Sequence, residues 1–149
     1  MNPEAVLSRL RQFLLVFSAL LFVGAVIELW LIGHNEEFVQ LIPFGLCGLA
    51  LAAVLLVLFL PRRALILGLL VCMGLVMLGS LFGVYEHVTG NAEFEREINP
   101  NASTGNVIMG ALGGANPLLA PGVLGVAAML SLAAIYHHPA LERGHERQS

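Results

Sequence analysis

Glu28, His34, His87 and Glu93 are the residues of this sequence whose types could do chemistry. Imidazole nitrogens and carboxylate oxygens bind divalent transition metals such as zinc, iron or manganese, and a carboxylate near an imidazole passes protons at physiological pH. Glu86, adjacent to His87, would add another oxygen donor. Spacing alone does not assemble the set. Glu28 and His34 are separated by about 600° of helical rotation at ~3.6 residues per turn, so they share a face only if the helix breaks at Gly33. No Glu-x-x-His pair falls on one of the expected helices, and no His-Glu-x-x-His run is present. A haem bridged by His34 and His87 would need both rings turned inward at one rim, and nothing else in the sequence asks for a porphyrin.

The elements that must position these residues are dictated by composition. Of 149 residues, 58% are apolar and 11% charged, against roughly 25% charged in an ordinary soluble domain. Four apolar runs, residues 13–33, 41–60, 64–85 and 118–136, each approach the ~20 residues that cross a hydrocarbon core. Too little polar sequence remains to cover four such runs in water. The expected fold is all-α: one transmembrane domain over residues 1–149, a four-helix bundle with an outer loop at residues 86–117. Within it Glu28 is the one charged residue of the four runs, roughly 7 Å below the outer end of its helix at ~1.5 Å per residue. An ionisable group at that depth is by default a functional candidate; its bland alternative is to reach the interface beside Trp30.

Charge orients the bundle. Arg9 and Arg11 precede the first run, Arg62 and Arg63 fill the turn between the second and third, and Arg143 and Arg147 lie in the tail, with Arg96 alone on the other side. By the positive-inside rule both termini are cytoplasmic. Glu36, Glu37, Glu86, Glu93, Glu95 and Glu97 all fall outside. The first run continues long past Arg11 and ends in Glu-Leu-Trp, so it reads as retained rather than cleaved. Arg9 and Arg11 are placed to meet phosphate headgroups. Cys47 and Cys72 fall within spans and read as packing residues.

Small residues mark close helix approach: Gly79 and Gly83 form a Gly-x-x-x-Gly spacing on the third helix, and Gly45 and Gly48 begin a small-residue face on the second. Pro43 is expected in the first turn of the second helix, where its missing N–H costs nothing. Ser103 or Thr104 caps a short helix carrying Val107, Ile108, Ala111 and Leu112, which reads as an amphipathic lid over the bundle mouth. Asn116-Pro117 then provides the N-cap and first residue of the fourth span. Ser18, Ser80 and Ser131 lack a base nearby in sequence, and each is expected to bond its own helix backbone. Asn35-Glu36-Glu37-Phe38 parallels Asn91-Ala92-Glu93-Phe94, and Leu41-Ile42-Pro43 parallels Leu119-Ala120-Pro121, the marks of a duplication about an axis along the membrane normal.

Glu28-Leu29, Gly33-His34, Leu41-Ile42-Pro43, His87, Gly90-Asn91-Ala92-Glu93-Phe94-Glu95 and Asn99-Pro100 together resemble a group of short four-span bacterial membrane proteins with which no activity is associated. The resemblance covers most of the chain from the first span to the fourth. It implies topology and a shared outer site, and no mechanism. No catalytic set is recognisable, and the absence of a basic patch excludes nucleic acid. The function expected is that of a small integral membrane accessory or structural protein, oligomeric or bound to a membrane-protein partner through its acidic outer loop. The alternatives are a metal-binding protein holding a divalent transition metal on Glu28, His34, His87 and Glu93, and a proton-coupled transporter or channel component titrating at Glu28.

Overall fold

The computed structural model describes residues 2–34 and 38–142. Glu36 and Glu37 of the first connection, the Asn35 end of the duplication, and Arg143 and Arg147 of the tail lie outside the described residues. The chain is helical, with α1 at Pro3–Leu31, α2 at Phe38–Phe59, α3 at Arg63–Ile98, α4 at Thr104–Gly113, α5 at Leu119–Ile135 and α6 at Pro139–Glu142. Helices α1, α2 and α3 are each long and apolar enough to cross a membrane; α5, of 17 residues, is apolar but shorter.

Local chemistry explains most of the boundaries. The Asn2 side chain accepts from the Glu4 N–H at 3.0 Å and Pro3 opens the first turn, so α1 begins well before its apolar run and continues unbroken through Arg9 and Arg11. It ends where Gly33 takes φ +69, a left-handed conformation that glycine adopts without steric cost. Helix α2 begins at Phe38, so Pro43 lies inside it rather than in its first turn, and the Val39 carbonyl lacks the N–H that an ordinary residue 43 would supply.

The largest departure from expectation is α3. The third helix does not stop at Tyr85; it runs on through residues 86–98, for 36 residues in all. Hydropathy falls after Tyr85, but Glu86, Ala92, Glu93, Glu95, Arg96 and Glu97 are good helix formers and the stretch holds no proline. The expected outer loop is therefore helical over its first half, and its loop portion reduces to residues 99–103 and 114–118.

Four helices close into a ring in which α1 packs on α2 and α5, and α3 packs on α2 and α5. Phe22, Val54, Val57, Ile66, Leu69, Met73, Val76, Ala127 and Ala128 fill its centre, all nearly or fully inaccessible. Cys47 and Cys72 are both free thiols buried in this core. The outside of the ring is apolar as well: between 17% and 33% of the most apolar stretches of α1, α2 and α3 are buried, leaving Leu20, Ile27, Phe59, Val71 and Leu78 among the residues that face outward. A bundle apolar on both its inner and its outer surface is compatible with hydrocarbon surroundings.

The ring is fastened where α3 and α5 cross. A Cβ on Gly83 would meet the Pro121 ring at 2.9 Å, and one on Gly125 would meet Ser80 Oγ at 2.9 Å. Glycine on each helix therefore lets the backbones approach. Ser80 uses the closeness to donate to the Pro121 carbonyl at 2.8 Å, in contrast to the expected bond within its own helix. Ser18 and Ser131 do bond their own helices, at Leu14 O and Ala127 O.

Candidate functional site

The polar centre of the molecule is where α3, α4 and the start of α5 meet. Beyond Ser80 the chain folds back along α3 in antiparallel register: Gly83 faces Pro121, His87 faces Pro117, Asn91 faces Ala111 and Asn116, and Glu95 faces Gly110. Helices α5 and α4 thus lie end to end along one face of α3. Ser103 caps α4, its Oγ accepting from Asn106 N–H at 3.3 Å.

Asn91 is 2% exposed and holds this junction. Its Nδ2 donates to Ala111 O at 3.2 Å and to Asn116 O at 2.9 Å, while its Oδ1 accepts from Asn116 N–H at 2.9 Å. Two carbonyls and one N–H fix which way the amide points. The bonds supply partners to backbone groups that the break between α4 and α5 leaves without helical ones. Asn116 is accordingly not the side-chain N-cap of α5: Leu118 occupies the cap position with no side-chain bond, and α5 begins at Leu119. The glycines around the clamp leave room for it. A Cβ on Gly114 would meet Gly110 O at 2.6 Å and Asn91 Cγ at 2.7 Å, and one on Gly110 would meet Glu95 Cγ at 2.9 Å.

The four residues singled out for metal chemistry divide into two pairs. His87 is half-buried and its Nδ1 lies 2.9 Å from Pro117 O; a carbonyl only accepts, so Nδ1 carries a proton, and in the neutral ring the lone pair is on Nε2. His34, half-buried after the end of α1, has its pKa lowered first by burial and then by the nearby positive charge of His87 when protonated. The two imidazoles are therefore electrostatic neighbours. Glu28 and Glu93 stand apart. Glu28 is exposed on α1, two residues from the outward Trp30, and His87 Nδ1 is engaged by Pro117 O rather than by this carboxylate. Glu93 lies roughly 200° around α3 from the buried Asn91 and is exposed. Among the described residues no three His, Cys, Asp or Glu side chains form a group able to hold a metal ion.

Of the glycines read as packing residues, Gly79 touches the Leu46 side chain of α2 and Gly83 touches Pro121 of α5, whereas Gly45 and Gly48 have no neighbour within 4 Å of a built Cβ and lie on the exposed side of α2. Arg11 is also placed differently from expectation. Its Nη2 donates to the carbonyls of His137 at 2.7 Å and Tyr136 at 3.3 Å, at the C-terminal end of α5. Arg11 thus caps a helix terminus, where a positive charge is favoured, and does not extend to a headgroup.

The short helix α4 packs chiefly on α3. It buries Ala111 and partly covers Val107, but Ile108, Met109 and Leu112 are 54%, 71% and 59% exposed. It is the second arm of a helical hairpin with the end of α3, and not a lid across the mouth of the ring. Sequence reasoning gave no structural role to the residues that make this hairpin, Asn91, Gly110 and Gly114. Their only signal was an asparagine next to Gly90 and a run of closely spaced glycines at residues 105–114. Compared with known proteins, the chain matches no family model, no curated protein and no solved structure.

Proposed function

We propose that the chain is a small integral membrane protein of accessory or structural role, crossing a bacterial inner membrane four times with both termini cytoplasmic, and docking a membrane-protein partner or further copies of itself through its outer helical hairpin. The observation that carries this reading is the length of α3. Its 36 residues make about 54 Å of helix at ~1.5 Å per residue, against a hydrocarbon core of about 30 Å. Roughly 20 Å of α3 therefore stands beyond the bilayer, braced by α4 and Asn91. Trp30, Tyr85 and Tyr136 are each more than half exposed at the ends of apolar stretches, where an aromatic belt belongs. The shorter α5 is accommodated by local thinning at a modest cost. A rigid projecting hairpin with large apolar side chains on its outside is a docking element in search of a surface.

Two measurements test the reading. In intact cells an impermeant thiol reagent should label Glu97→Cys and should label Arg63→Cys only after permeabilisation; the opposite pattern removes the topology. Purification in mild detergent with mass measurement should give an oligomer or a co-purifying chain. A strict monomer with neither removes the docking role.

A second reading is favoured by the His34/His87 neighbourhood, in which His87 keeps Nε2 available. These two imidazoles would be the protein donors to a divalent transition metal, with Glu28 and Glu93 having to leave their exposed positions to complete the set. Elemental analysis of untagged protein tests it: metal content unaffected by His87→Ala sinks the assignment.

A further inference from the structure

Over residues 86–113, the two arms of the hairpin and the turn between them, Asn91 and Ala111 are buried and every other residue is half-buried or exposed. Taken alone, the α3 arm is a weak helix. His87, Val88, Thr89, Gly90 and Asn91 are five consecutive residues of low helix propensity. Thr89 Oγ1 donates back to the Tyr85 and Glu86 carbonyls at 3.0 and 3.1 Å, a contact that slightly destabilises and bends a helix. Farther out, Glu93 and Glu97 are like charges one turn apart, and with Glu95 they load negative charge onto the C-terminal end of α3, offset by Arg96. The α4 arm has 10 residues, too few to hold as an isolated helix in water.

The ties between the arms start from that weak run. His87 Nδ1 donates to Pro117 O, and Asn91 makes its three hydrogen bonds to Ala111 and Asn116. Each arm is therefore held helical by the other. We propose that the outer hairpin is an order–disorder element: α4 lifts from α3 and residues 87–98 unwind in the same step, while the ring of α1, α2, α3 and α5 stays closed. The boundary on α3 lies between Gly83, packed on Pro121, and His87. On its ring side α3 buries Ile66, Leu69, Cys72, Met73, Val76 and Ser80, and beyond it Asn91 alone. So uneven a distribution of burial along one helix is the physical mark of a segment that opens before the rest. Resting on the reading of the hairpin as a docking element, the transition decides when that element exists. Closed, the hairpin is the braced arm that docking requires, and a partner that grips it draws the equilibrium toward the closed state by its preference for that state.

Hydrogen exchange read by mass spectrometry on the full-length chain in mild detergent tests the coupling. Residues 88–98 and 104–113 should exchange through a common opening, at least about a hundredfold faster than residues 66–80. Ser103→Ala removes the N-cap of α4 without changing α3, and should speed both arms by the same factor, roughly fivefold. Asn91→Ala discriminates further, because alanine is the better helix former. A self-sufficient α3 arm would exchange more slowly in that variant, whereas a coupled one exchanges faster, together with α4. Residues 66–80 should keep wild-type protection in both variants. Protection of residues 88–98 equal to that of 66–80, an α3 arm unmoved by Ser103→Ala while α4 accelerates, a slower α3 arm in Asn91→Ala, or acceleration spreading into residues 66–80 overturns the proposal. The readout needs no partner. A strict monomer whose arms accelerate together removes the docking role and keeps the opening, and an oligomer whose α3 arm is protected independently of α4 does the reverse.

Discussion

The side chain of Asn91 closes a ring of two hydrogen bonds with the backbone of Asn116, giving Nδ2–H to its carbonyl and taking its N–H on Oδ1, each at 2.9 Å. A side-chain amide here does what a strand neighbour does in a sheet, and it does so in a position 2% exposed. Asn91→Ala leaves the Asn116 N–H and the Ala111 and Asn116 carbonyls without this partner, at about 1 kcal/mol for each bond lost. The expected cost is about 3 kcal/mol of local stability. Hydrogen exchange at Asn116 and along α4 should accelerate by roughly a hundredfold, and unchanged protection there would show that the clamp holds nothing.

Gly114→Ala attacks the same clamp from the other side. The new Cβ would sit 2.6 Å from Gly110 O and 2.7 Å from Asn91 Cγ; one neighbour is backbone and the other is fixed by its hydrogen bonds. Neither gives way without separating α4 from α3. We expect at least the loss predicted for Asn91→Ala, and the two changes combined should cost little more than either alone, because they break one junction. Full additivity in exchange protection would place Gly114 in an independent role.

The helices themselves were legible in the sequence because each apolar run is long and uninterrupted, and the ring of α1, α2, α3 and α5 follows the four runs. The extension of α3 was not. Hydropathy reports where hydrocarbon ends, whereas the helix continues as long as residues tolerate it and something covers one side; here the cover is α4, some 20 residues further on. Asn91 reads as part of an outer loop and of a repeat and Asn116 as a helix start, each on its own, although the two are hydrogen-bonded to each other. Glu28 had two readings in the sequence, a functional group within the bundle or a side chain reaching the interface beside Trp30, and it is exposed. A carboxylate's facing depends on the rotation of its helix in the bundle, which a run apolar on all sides does not reveal.

Helix approach distinguishes three glycines of α3. Gly83→Ala should destabilise most, since its Cβ would meet Pro121 Cβ at 2.9 Å in a ring tied to the α5 backbone. Gly79→Ala meets only the tip of the Leu46 side chain, which can rotate away. Gly74→Ala meets nothing and gains up to about 1 kcal/mol from better helix propensity. Thermal unfolding in one detergent should therefore rank Gly74→Ala above wild type, then Gly79→Ala, then Gly83→Ala. A Gly83 variant as stable as the Gly74 variant would contradict the close α3–α5 crossing.

Arg11 ties the start of α1 to the end of α5 through the carbonyls of Tyr136 and His137. Its removal exposes those carbonyls and deletes a cation from a helix C-terminus, together about 1 to 2 kcal/mol. Arg11→Ala should lower the unfolding midpoint measurably and Arg9→Ala, fully on the outside, should not. Arg11→Lys retains the charge without the planar fork and should recover part of the loss. Equal effects at positions 9 and 11 would mean that bulk charge near the membrane, rather than the cap, is what matters.

His34 gives the end of the molecule where α1 stops a pH dependence of definite sign. Its pKa lies below the ordinary 6.5, first because burial penalises the imidazolium and then because a protonated His87 repels it. The unfolded chain therefore takes up its proton before the folded one, so the neutral ring contributes stability above pH 6.5 that is lost as pH falls through the lower folded value. Unfolding midpoints should drop between neutral pH and about pH 5, and His34→Gln should flatten that slope. His87→Gln removes the charge repulsion and leaves the burial, so the His34 proton resonances should titrate closer to 6.5 without reaching it. A His34 titration that does not respond to His87→Gln would separate the two rings.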